Sequence, residues 1–252
     1  MMTVLWNFLF VIATGTSSEN PRAELYSFGT GKRELIGETR LDSTITSFES
    51  IKYAKTDEGT SIYADALCAD GSSMVTEFIY WSDYYNSIIS PFYSYSTGRT
   101  KETLRSSQVT CRDIDDDGYI EIPEDTSSKK QSSEITSQNW VNYGNTVLSH
   151  KCYSFSCKRD GYILVIDDDD FSKVKSNYDS ESRKLTIIDK KNKSNVFEIV
   201  TLINSNYSVN DPKYKDYTMI MKNSGFVYLA KVNKSSDIDI NIQTLKDMIK
   251  VY

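Results

Sequence analysis

The 252 residues carry 35 acidic and 29 basic side chains, a formal charge of −6, with 39% hydrophobic and 25% charged residues. This is a globular but polar chain, long enough for one large or two small domains. Residues 1–145 hold 12 basic and 21 acidic side chains (net −9), and residues 146–252 hold 17 and 14 (net +3), so nucleic acid is excluded as a partner of the acidic part, where phosphate neutralisation would need clustered Lys and Arg.

Met1 to Ala13 is apolar but has no basic residue before it and no small-residue cleavage site after it, so it does not fit a signal peptide. It is also too short to span a bilayer. A short apolar run bounded by a Gly/Ser loop predicts a buried strand over Trp6 to Ala13. A chain that starts inside a strand suggests a piece of a longer precursor, with any membrane attachment made through a missing N-terminal anchor. Ala23 to Phe28 and Arg33 to Thr39, around Gly29-Thr30-Gly31, predict a hairpin. Thr44 to Ala54, Ser61 to Cys68 and Met74 to Trp81 follow as strands, and Ser82 to Ser96 is Tyr-rich and ambiguous. Thr103 to Cys111 leads into the acidic stretch that follows, with Ser106 to Cys111 a β-type run. Short strands roughly every 8 to 12 residues point to a sandwich, barrel or propeller.

Asp113 to Glu124 is the most specific stretch of the chain. Asp113, Asp115 and Asp117 stand at loop positions 1, 3 and 5, Gly118 at the sharp turn of position 6, and Glu121 and Glu124 at positions 9 and 12. A hard cation such as Ca²⁺ takes about six to eight oxygens, and alternate carboxylates around a glycine supply them in a compact loop. An EF-hand would need flanking helices. Pro123 disfavours a helical Ile122, and Tyr119, Ile120 and Ile122 are strand formers. The expected frame is therefore strand, loop, strand, with Tyr119 giving its carbonyl and Glu121 as the last side-chain ligand. Whether Glu124 also binds stays open. The alternative is an acidic surface turn that holds no ion.

Asp125 to Gln138 is polar, and Ser127 to Ser133 is the most linker-like part. It marks a division into a β-rich region, 1–140, and an α+β domain, 141–252. In the second part Cys152 to Cys157, Tyr162 to Ile166, Lys184 to Asp189, Val196 to Ile203, Tyr217 to Lys222 and Phe226 to Val232 read as strands. Asp167 to Asp170 lacks ligand spacing and reads as a helix start or solvated turn. Asn241 to Val251, apolar at Ile242, Leu245, Met248 and Ile249, predicts a one-faced C-terminal helix. The expected class is mainly β with an α+β C-terminal part: propeller-like or open antiparallel sheets, then an antiparallel sheet with a C-terminal helix.

The four cysteines form no CxxC pair, which argues against zinc and for free thiols that pack as small hydrophobes. The single histidine, His150, has no evident third group to complete a Cys–His nucleophile with Cys152. The sequence contains no Gly-rich phosphate loop, GxSxG or HExxH. Carboxylate pairs for glycoside hydrolysis stay open, because spatial pairing is invisible in sequence.

Thr103-Leu104-Arg105 followed by Cys111 to Pro123 resembles the Asp-x-Asp-x-Asp-Gly-x-x-Glu loops of calcium-dependent β-propeller repeats of the FG-GAP or VCBS-like type. The resemblance implies Ca²⁺ on Asp113, Asp115, Asp117 and Glu121. The succession of Ala23–Asp42, Ile62–Trp81, the loop and Trp140 resembles cell-envelope lipoproteins of Gram-positive bacteria, which pair a propeller-like part with a small α/β tail like Tyr162 to Tyr252. These features lead us to expect an extracellular or cell-envelope binding or scaffold module with a structural calcium site and a protein or glycan partner on the cell surface. The rival expectations are a carbohydrate- or cell-wall-active hydrolase using paired carboxylates and a purely structural spacer.

Overall fold

A computed structural model describes residues 2–5, 8–16, 18–29, 31–126, 134–144, 147–208, 211–233 and 238–252. The Ser127 to Ser133 linker and Trp6 lie outside the described residues. The protein is mainly β, built of several antiparallel sheets, none of which closes into a barrel among the described residues. The backbone contacts divide it into two units, Met1–Asp125 with Trp140–Lys151, and Thr126–Asn139 with Cys152–Tyr252.

The first unit opens with β1 (Met2–Leu5), β2 (Phe8–Ala13), β3 (Arg22–Ser27) and β4 (Glu34–Arg40), an antiparallel meander in the order β1-β2-β3-β4. A second meander follows: β5 (Ile45–Thr56), β6 (Gly59–Cys68), β7 (Met74–Ser82) and β8 (Ser87–Ile89). The ambiguous Tyr-rich stretch resolves into β8 and a minimal pair, β9 (Tyr93–Ser94) and β10 (Arg99–Thr100). The unit also holds β11 (Ile122–Asp125), and β12 (Ile135–Gly144) and β13 (Val147–Cys157) each contribute residues to both units.

The period-2 geometry of β6 and β7 explains why both are buried along most of their length. Ala64, Ala66, Val75 and Ile79 join Phe10, Ile12, Ala23 and Leu41 in one core. The intervening residues Tyr63 and Phe78 join Cys111, Ile120, Ile122, Val141 and Tyr143 in another. The second core seats the acidic loop against β6 and β7.

The β-type run expected over Ser106–Cys111 forms no strand. Just before it the backbone touches the sheet as an isolated bridge between Met74 and Arg105. Side chains take the place of a ladder. Asp65 Oδ2 accepts the Cys111 N–H at 2.9 Å, and Thr103 Oγ1 accepts the Thr76 N–H at 3.2 Å.

The second unit continues from β12 and β13 through β14 (Tyr162–Ile166) and the four-residue helix α1 (Asp168–Phe171). The acidic run therefore opens a helix. Then come β15 (Val174–Asp179), β16 (Lys184–Asp189), β17 (Asn195–Ile203), β18 (Thr218–Lys222) and β19 (Phe226–Val232), in the order β15-β16-β17-β19-β18. The chain ends with α2 (Ile242–Met248) and β20 (Ile249–Val251). The predicted C-terminal helix is shorter than expected. Asn241 caps it by accepting the N–H groups of Gln243 and Thr244, but Ile249–Val251 pair with β14 instead of adding a helical turn. Leu245 and Ile249 are buried in the core of this unit with Phe197, Ile199 and Tyr228.

Candidate metal centre

The acidic loop is a hairpin that leads into β11, with no regular strand before it among the described residues. Its base is an antiparallel bridge between Arg112 and Glu121, closed by N–H···O bonds of 3.2 and 2.9 Å. Below it, Lys52 Nζ donates to the Cys111 carbonyl. Asp65 and Arg105, both fully buried, form an ion pair at 2.8 Å. Arg105 also donates to the Val109 and Thr103 carbonyls and to Thr76 Oγ1. This clasp fixes the start of the loop on β6 and β7.

Inside the hairpin the aspartates fold the backbone around themselves. Asp113 accepts the N–H groups of Asp117 at 3.0 Å and Gly118 at 2.9 Å, and Asp117 accepts that of Tyr119 at 2.9 Å. Gly118, at φ +90°, supplies the left-handed turn that a side chain would strain. Oxygens of Asp113, Asp115 and Asp117 converge to within 4.8 Å of one another.

Glu121 is not part of that convergent set, but it is fully buried. Its Oε2 accepts the Ile114 N–H at 3.0 Å, while Oε1 is buried with no hydrogen-bond partner among the described residues. Burial, together with the negative charge of Asp115, Asp117 and Asp113, pushes this carboxyl up to about 7 against the Ile114 hydrogen bond. Tyr119 is half-exposed on the loop, and Glu124 lies on β11.

The donors suit a hard cation: three carboxylates at alternate positions, a glycine turn, and a buried carboxylate oxygen lacking a proton donor. Each carboxylate has about four lone-pair sites, so the N–H groups bound by Asp113 leave it acceptor capacity. A bound Ca²⁺ would be held by Asp113, Asp115 and Asp117 and would supply the positive charge that the Glu121 carboxylate lacks. It would tie the two arms of the hairpin together.

One cation is already present. Lys151 Nζ lies 3.1 Å from Asp115 Oδ2 and 2.5 Å from Asp117 Oδ2. It holds the Asp117 carboxyl below the usual carboxylate range. Lys151 comes from β13, 34 residues from Asp117, and nothing local in the sequence could have pointed to it.

Asp42 and Glu77 are neighbouring acidic residues, and burial pushes Glu77 up to about 7. Both are fully enclosed. Glu77 accepts from the Asp42 N–H, Thr100 Oγ1 and Ser90 Oγ, and Arg99 pairs with Asp42 at 2.9 Å. Held by these protein donors, the pair braces the loops that follow β4 and β8. None of the four cysteines is in a disulfide. Among the described residues, no helix is long and apolar enough to cross a membrane.

No protein-family profile and no curated protein sequence matches this chain.

Proposed function

We propose that the protein is an extracytoplasmic, non-catalytic binding or scaffold module whose 111–124 hairpin is ordered by Ca²⁺. The observation that carries this reading is the convergence of Asp113, Asp115 and Asp117, together with a buried Glu121 whose Oε1 has no hydrogen-bond partner among the described residues. The ion's place in the fold favours a structural role. The hairpin packs Ile120 and Ile122 into the same core as Tyr63 and Phe78, so ordering it stiffens β6 and β7. Calcium loops of modest affinity suit calcium-rich extracellular compartments.

Two further features support a module of this kind. The meanders β1–β4 and β5–β8 each run in sequence order, the arrangement of a propeller blade. Tyr53, Tyr84, Tyr85 and Tyr95 are exposed by 63%, 88%, 66% and 74%, with Tyr84 and Tyr85 edge-to-face at 4.8 Å. Exposed tyrosines supply large, rigid contact area for a protein or glycan at the cell surface.

The test is a thermal melt with calcium and with chelator. Binding at 100 to 1,000 times the dissociation constant should stabilise the fold by about 3 to 4 kcal/mol. A chelator-insensitive midpoint, unchanged again in Asp115→Ala, would refute the calcium role.

A further inference from the structure

Lys151 contacts the oxygens a cation would need. Its ammonium sits 3.1 Å from Asp115 Oδ2 and 2.5 Å from Asp117 Oδ2. Calcium binds carboxylate oxygens at about 2.3 to 2.6 Å. An ion on those two oxygens would therefore stand only a few ångströms from the ammonium, where two positive charges repel strongly. They cannot share the oxygens.

Lys151 can leave. Its side chain is 31% exposed, as are those of Asp115 and Asp117 to a similar degree. Exposed lysine–carboxylate pairs are weak individually and their side chains rotate freely. Glu121 is the reason to expect a second occupant at all. It is fully buried, with Oε2 held by the loop's own Ile114 N–H and Oε1 without a hydrogen-bond partner among the described residues, while the ammonium pairs with Asp115 and Asp117.

We infer that Lys151 is a tethered counter-ion that holds the loop closed without metal and must swing out when a divalent cation enters. The inference rests on the calcium reading and adds a regulatory property to it. The site exchanges one cation for another, so it is folded in both states and its affinity is set by how firmly Lys151 grips Asp115 and Asp117. Modification of the Lys151 amine that removes its charge would open the site to the ion.

Two measurements on the full chain test this. In the first, the native protein is labelled with an amine-acetylating reagent, with calcium or with chelator, and acetylation of Lys151 is read by mass spectrometry. Calcium should raise its rate several-fold while lysines of the second unit, such as Lys175 and Lys184, stay unchanged. In the second, calcium is titrated calorimetrically into the native chain and Lys151→Met. Loss of two exposed ion pairs should tighten binding about tenfold. Calcium binding with equal affinity in both chains and no change in Lys151 labelling would overturn the inference and leave the calcium reading standing. No binding in either chain would overturn both. Binding in Lys151→Met alone would uphold the inference and overturn the calcium-dependent reading of the native chain.

Discussion

Replacing Arg105 by Met removes the positive half of a fully buried ion pair and keeps much of the side-chain volume. In the native chain Arg105 donates to Asp65 Oδ1 at 2.8 Å, Thr76 Oγ1 at 2.9 Å, the Val109 carbonyl at 2.9 Å and the Thr103 carbonyl at 3.1 Å. Asp65 would retain the Thr76 hydroxyl at 2.7 Å and the Cys111 N–H at 2.9 Å, but its charge would be buried without a counter-charge. Breaking such a pair from one side costs about 3 to 5 kcal/mol. The loss should be large because Arg105 and Asp65 also replace the missing backbone ladder of the 103–111 segment. Urea unfolding followed by tryptophan fluorescence suits this test, since Trp81 and Trp140 both lie in the first unit. The double variant Asp65→Asn with Arg105→Met should recover a substantial part of the sum of the two single losses. A loss under about 1 kcal/mol for Arg105→Met, or strict additivity in the double variant, would refute the clasp.

Glu77 should set a pH dependence. Burial raises its carboxyl from 4.5 to about 7, so the folded state keeps a proton that the unfolded chain releases. Its stabilising share is complete below pH 4.5 and is lost as pH rises through 7, amounting to about 3 kcal/mol. Unfolding curves of the native chain and Glu77→Gln across this window should diverge by that amount; parallel curves would refute it. In the second unit, Asn241→Ala should cost about 1 kcal/mol, measured by denaturant unfolding, because Asn241 Oδ1 accepts two N–H groups of α2.

Local signals were legible because their causes are local. The alternation Asp113, Asp115, Asp117 and the turn at Gly118 are spelled out within six residues, and the structure folds them into a convergent set. The Gly29–Gly31 hairpin and the strands of the second unit follow from turn residues and β-branched runs. Signals failed where distant partners decide. Ser106–Cys111 reads as a β-type run, yet Asp65 and Arg105 bond the backbone of the 103–111 segment by side chains. Ile249–Val251 continue the helical apolar period, but pairing with β14 places Ile249 in the core as a strand residue. Lys151 reaches the loop from β13, and its role depends on a strand register that no spacing in the sequence encodes.

A calorimetric calcium titration of the native chain reads whether the 113–121 loop binds Ca²⁺. One ion per chain is expected, abolished in Asp115→Ala and weakened in Glu121→Gln, with both variants retaining the native fold. Absence of binding at millimolar calcium, or a stoichiometry and affinity that Asp115→Ala leaves unchanged, would contradict this reading.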